Sequence, residues 1–167
     1  MEYFESDGLK LAYRVEGEGA PILLVHGFAS THRVNWIATS WTRTLVEAGR
    51  RVIMADGRGH GESDKPHDVE DYALEAMAGD VIALLDHLGE PGVDLMGYSM
   101  GGMVSLVAAS LYPERFDRVI AAGVGEHLLD KDKDSSAVVN ALLTDDPSSI
   151  SSPAAKLFRT FAEQNHQ

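Results

Sequence analysis

Two hydrophobic rhythms alternate along the first 125 positions. Short unbroken apolar runs stand at "ILLVH" (22–26), "RRVIMAD" (50–56), "VDLMG" (93–97) and "RVIAAGV" (118–124). Runs of that length, bounded by turn residues, predict strands covered on both faces in a parallel sheet. The segments between them have helical spacing. In "YALEAMAGDVIALLDHLG" (72–89), Leu74, Met77, Ala78, Val81, Leu85 and Leu88 recur at three- and four-residue steps, and Gly89 supplies a stop. "WIATSWTRTLVEAG" (36–49) places Ile37, Trp41, Leu45 and Ala48 on one stripe, with Gly49 at its end. "MGGMVSLVAASLY" (100–112) predicts a third helix, closed by Pro113. Ahead of these, "EYFES" and "LKLAYRV" flank Asp7-Gly8, a two-residue hairpin signal. Leu9, Leu11, Tyr13 and Val15 alternate there, as in a strand with one covered face. "GEGAP" (17–21) is a turn, and "GRGHGESDKP" (57–66) is too glycine-rich for anything but a loop.

Strands and helices in turn predict an α/β fold, a mostly parallel sheet flanked by helices. After Val124 the rhythm changes. No strand pattern follows, and two short helical stretches near 135–144 and 153–164 are joined by a polar turn. The chain therefore divides into a core over 1–125 and a helical segment over 126–167.

At 167 residues and 44% hydrophobic, the chain can bury one sizeable core. No apolar run reaches the roughly 18 residues of a membrane span, so no membrane partner is expected. The start "MEYFESDGLK" lacks the basic-then-apolar layout of a secretion signal. No cysteine is present, which excludes disulfides, thiol catalysis and thiolate metal sites and makes the cytoplasm the natural compartment. The net charge of -12 argues against nucleic acid and reads as a solvated acidic surface. Histidines and carboxylates lack metal-ligand spacing, and the G-x-G patterns lack a phosphate-binding context, so no metal and no cofactor is expected.

Candidate chemistry centres on "DLMGYSMGGMVSL" (94–106). Gly97-Tyr98-Ser99-Met100-Gly101 has the form G-x-S-x-G between a predicted strand and a predicted helix. A turn so tight holds the serine in a strained conformation and crowds the residues two before and two after it, so Gly97 and Gly101 must be small. Ser99 Oγ is then pushed out at the sheet's carboxyl edge as a nucleophile. The N–H of Met100 points the same way from a helix start. "VHGF" (25–28) ends the first buried strand at the same edge, so the N–H of Phe28 can join that of Met100 as a two-donor oxyanion hole. His26 reads as a histidine bonding nearby loop backbone rather than as a base.

"PILLVHGF", "RVIMADGRGHGESD", "VDLMGYSMGG" and "PERFDRVIAAGV" come in the order and spacing of the α/β-hydrolase fold family, and the chain resembles its small serine esterase-like members. The resemblance covers residues 1 to about 125, and the rest looks like the start of the helical cap that the family inserts after its sixth strand. It implies a hydrolase-like sheet truncated at that point, with Phe28, Ser99 and the cap enclosing a small ester-like substrate. Family members with an aspartate nucleophile include haloalkane dehalogenases and epoxide hydrolases. Ser99 in that place favours acyl transfer through an acyl-serine. By the same resemblance His60 is a packing and hydrogen-bonding residue rather than a catalyst, and Arg58 and Asp64 tie down their loop.

In this family the acid and the histidine follow the nucleophile on loops after two further strands, and the sequence shows neither strand. Past Ser99 stand only His127 and His166. His127 follows the last predicted strand, but its candidate acid Glu126 is its neighbour, and neighbours on an extended chain point to opposite sides. His32 borders the Phe28 loop, His67 lies in the glycine-rich loop, and His87 reads as a surface residue near a helix end. The 118–124 strand is left as an open apolar edge, which a second copy or a missing C-terminal fragment would cover. Two functional readings follow: a serine hydrolase whose site is incomplete in this chain, or a hydrolase-like domain without catalysis, used for binding or assembly.

Overall fold

The computed structural model describes residues 1–125 and 136–164. Six strands form one sheet in the order β1-β2-β4-β3-β5-β6. β1 (Glu2–Ser6) and β2 (Leu9–Glu16) make the predicted hairpin, with Ser6 opposite Leu9. Asp7 at φ 51° and Gly8 at φ 77° give the left-handed pair that such a turn requires. β2 runs antiparallel to β4 (Arg50–Ala55). β3 (Ala20–Val25), β4, β5 (Val93–Tyr98) and β6 (Phe116–Ala122) are mutually parallel, so the sheet is mostly parallel as expected.

β3 has β4 on one side and β5 on the other. The chain's winding reverses there, and in an open α/β sheet that switch point opens a crevice at the carboxyl ends of the strands. α2 (Leu74–Leu88) and α3 (Met100–Leu111) cover one face, where Leu23, Ile53 and Leu95 pack on Val81, Leu84, Leu85 and Val104. Ile22, Leu24, Val52 and Met54 point the other way, against Trp36, Ile37 and Leu45. The central strands are thus covered on both faces, which is why their sequences are continuously apolar.

The expected helix over 36–49 is two pieces. Arg33–Ile37 forms a π-helical turn, and α1 (Trp41–Glu47) follows it. Ser40 at φ 67° breaks the register, so Ile37 stands on a separate turn from positions 41, 45 and 48. Trp41 is 45% exposed, while Trp36, outside the expected stripe, is the anchor at 2%. β6 stops at Ala122, two residues before the end of its apolar run, where Gly123 turns at φ 66°. It lies at the sheet edge with Val119 and Ile120 exposed.

α4 (Ser136–Leu143) and α5 (Pro153–Gln164) fall where two helical stretches were expected, and they pack around Ala141, Ile150 and Ala155. Arg159 Nη1 donates to the carbonyls of Ala141, Leu142 and Thr144 at 2.8–3.1 Å. That one guanidinium satisfies carbonyls that the end of α4 leaves without helical partners. Among the described residues, no helix is long and apolar enough to cross a membrane.

Candidate functional site

The turn from β5 into α3 places Ser99 at φ 53° and ψ −116°. A side chain at positive φ is strained and persists only where its surroundings fix it. They do so here. Ser99 N–H donates to the Ala122 carbonyl of β6 at 2.8 Å, and Ser99 O accepts from Met103 N–H at 3.1 Å. A Cβ on Gly97 would overlap the carbonyl of Gly101, and one on Gly101 would overlap the carbonyl of Val25. Both glycines are therefore required by close backbone approach.

The β3 loop reaches the same place. Gly27 packs against Tyr98 and Ser99. Gly27 N–H donates to Asn35 Oδ1 at 2.7 Å, and Ala29 N–H donates to His60 Nε2 at 3.2 Å. Between them, Phe28 N–H has no acceptor among the described residues. Met100 is the first residue of α3, where no preceding turn offers a carbonyl to its N–H. The Phe28 ring meets that of Phe158 on α5 at 5.9 Å, so the helical segment roofs the serine. Phe28, Tyr98, Ser99, Leu157 and Phe158 line an open cleft of about 310 Å³. The structure thus brings Phe28, Gly97, Ser99, Met100 and Gly101 together. Glu126 and His127, the candidate acid and base, lie outside the described residues, as does His166.

The nearby histidines are occupied elsewhere. His26 bonds the Gly27 carbonyl through Nδ1 at 2.8 Å and accepts from Gly57 N–H through Nε2 at 3.0 Å. Burial first, and then the adjacent His60, pushes its pKa down to about 4. Burial also lowers the pKa of His60, whose Nδ1 is 3.0 Å from the Arg58 carbonyl. His32, expected at the pocket border, is buried with its Nδ1 2.7 Å from Asp56 Oδ1. Burial works to raise the pKa of Asp56, but hydrogen bonds from the His32 side chain and backbone outweigh it and hold the carboxyl below its usual value. His87 is exposed and touches Tyr13 Oη, far along the sheet from Ser99.

The glycine-rich loop is anchored as expected. Arg58 makes two 2.7 Å bonds to the Asp80 carboxylate of α2 and a third to the Asp71 carbonyl. Asp64 Oδ2 accepts from Lys10 N–H at 2.7 Å. Sequence reasoning missed how the Phe28 and His60 loops hold each other. A His-Gly pair in each, at 26–27 and 60–61, is the one local sign of it. Among the described residues, no group of three His, Asp or Glu side chains could hold a metal.

Comparison with known proteins adds a lineage. A family model described as "alpha/beta hydrolase fold" matches residues 20–164. The chain is 42% identical over 118 residues to a dihydrolipoyllysine-residue acetyltransferase component of an acetoin cleaving system from Pseudomonas putida, an alignment covering 68% of this chain and 30% of that protein. It is 38% identical over 120 residues to epoxide hydrolase 4 of Mus musculus, covering 70% of this chain and 32% of the relative. A hydrolase structure from Pseudomonas aeruginosa PA01 superposes with a TM-score of 0.73 at 26% identity, covering 96% of this chain and 66% of the other. Epoxide hydrolase A from Mycobacterium thermoresistibile superposes at 0.65 with 32% identity, covering 71% and 37%. The chain spans about a third of the length of the curated relatives it matches.

Proposed function

The chain belongs to the alpha/beta hydrolase fold family, and from that premise we propose that it is a serine hydrolase acting on ester, thioester or related carbonyl substrates. Ser99 Oγ attacks the carbonyl carbon while a general base takes its proton. The carbonyl oxygen, now negative, sits between the N–H groups of Phe28 and Met100. The carbon–oxygen or carbon–sulfur bond to the leaving group breaks, the alcohol or thiol departs with a proton, and water hydrolyses the acyl-serine. One observation carries this reading: a serine held at φ 53° by overlapping glycine backbones, beside two amide hydrogens without acceptors among the described residues.

A serine at the elbow favours carbonyl substrates over the epoxides in the names of several relatives. The cleft walls of Phe28, Tyr98, Leu157 and Phe158 suit an apolar group on the ester. No described histidine lines the Ser99 cleft, and His26 and His60 have both ring nitrogens engaged with backbone. With an activated ester, whose leaving group departs without protonation, acylation is therefore expected to outrun deacylation.

Intact-mass analysis after exposure to a fluorophosphonate, alongside p-nitrophenyl acetate kinetics, tests the proposal. The expected result is one adduct, lost in Ser99→Ala, with a burst of nitrophenol and slow turnover after it. No adduct on the wild type overturns the serine reading. Fast steady turnover abolished by His127→Ala would assign the base to His127. The non-catalytic alternative, a domain used for binding or assembly, draws on the exposed apolar β6 edge. It predicts identical silence from wild type and Ser99→Ala.

A further inference from the structure

Two histidines that the proposed reaction does not use lie directly behind Phe28, and each holds the other's loop. His26 follows β3 and is 1% exposed, and His60 lies in the 57–66 loop at 5%. His26 Nε2 accepts the N–H of Gly57 in the second loop at 3.0 Å, while His60 Nε2 accepts the N–H of Ala29 in the first at 3.2 Å. The other ring nitrogens turn to carbonyls within their own loops, Gly27 at 2.8 Å and Arg58 at 3.0 Å. A carbonyl only accepts and an amide N–H only donates. Each ring must therefore be neutral, with its hydrogen on Nδ1. The rings meet edge to face, 5.1 Å between centroids.

The amides on either side of Phe28 are both committed, Gly27 to Asn35 and Ala29 to His60. Ala29 is itself held at φ 53°, a conformation that needs external support. His60 also packs edge to face on the Phe28 ring at 5.8 Å.

We propose that His26 and His60 are positioning residues for the oxyanion donor: as neutral imidazoles exchanging backbone hydrogen bonds between two loops, they fix where Phe28 N–H points, and protonating either ring releases that loop. The inference rests on the Ser99 reading above. The charged groups around the pair are few. His26 faces His60, His32 and Asp56, and His60 faces Asp56 and Lys65. Tyr72, Arg159 and Glu163 line the cleft beside His60, and the Arg58 guanidinium is taken by Asp80. Burial dominates and lowers both rings, His26 to about 4, so the clasp is closed at neutral pH. The unfolded chain protonates these histidines near 6.5. The stability they contribute is therefore present above that value and lost as pH falls toward the folded-state values.

The test begins with ring ¹⁵N NMR of the full chain near neutral pH, which needs no activity. Both imidazoles are expected as Nδ1–H tautomers; an Nε2–H tautomer in either overturns the proposal. Fluorophosphonate labelling of Ser99 then compares His60→Leu with His60→Gln, whose Oε1 can accept where Nε2 did. The leucine variant is expected to label about 100-fold more slowly, the scale of a lost oxyanion donor, and the glutamine variant to recover about tenfold of that loss. Equal slowing in both, with unchanged unfolding midpoints, overturns the positioning role. If His60→Leu does not fold, the wild-type tautomers and an acid limb in the labelling rate that sets in as pH falls toward about 4 decide instead. A flat rate down to pH 4 counts against the clasp. Correct tautomers with no wild-type labelling sink the Ser99 reading and the catalytic role of the clasp with it, while the loop geometry stands.

Discussion

β3 and β6 each carry an apolar run, ILLV at 22–25 and VIAA at 119–122, and the two runs end in opposite surroundings. In β3, Ile22, Leu23 and Leu24 are almost wholly covered, because β4 and β5 pair on both sides and helices pack on both faces. In β6, Val119 and Ile120 remain 37% and 51% exposed, and among the described residues the strand pairs with β5 alone. The difference shows what an apolar run means. It states that a strand is built for cover and is silent about what supplies the cover. The candidate site hangs from the covered half: Phe28 follows β3, Ser99 follows β5, and the loop after β4 holds the Phe28 loop in place.

If that half is rigid because it is fully paired, removing a buried pairing there should cost most. Asp80→Ala leaves the Arg58 guanidinium, 1% exposed, without its carboxylate. Breaking a buried ion pair from one side costs about 3–5 kcal/mol, read as a drop in the urea midpoint. A loss below about 1 kcal/mol would place the pair among weakly coupled surface contacts and blunt the contrast. Leu24→Ala in β3 comes next, at about 2–5 kcal/mol for a fully buried leucine whose site cannot collapse. A much smaller loss would mean that the centre repacks as freely as the edge.

Much of this was legible in the sequence, and the reasons are local. The 72–89 stripe and Gly89 predicted α2 and its stop because helical periodicity and a left-handed cap are written in consecutive residues. G-x-S-x-G predicted the elbow because overlapping backbones leave room only for glycine. Ser40 hid the break before α1, since a serine at positive φ leaves no compositional sign and Trp36 and Trp41 look alike as letters. The exchange between His26 and His60 joins residues far apart in the chain, and only the fold brings them to 5.1 Å. The roles expected for Glu126 and His127 fall on residues outside the described ones.

The smallest expected change bears most directly on β6. Ile120→Lys replaces a half-exposed apolar side chain with a charge of the kind that natural edge strands use against pairing. If β6 is solvated, the substitution should move the urea midpoint by an amount worth about 0.5 kcal/mol or less, as surface changes do. Its sedimentation should then be that of a monomer. If a second copy covers the edge, the wild-type midpoint rises with protein concentration, because only the folded form associates. Ile120→Lys would then lower the midpoint and abolish its concentration dependence together. A loss above about 2 kcal/mol with no concentration dependence fits neither case. It would mean that Ile120 is packed within its own chain, and the contrast between the two strands would fall.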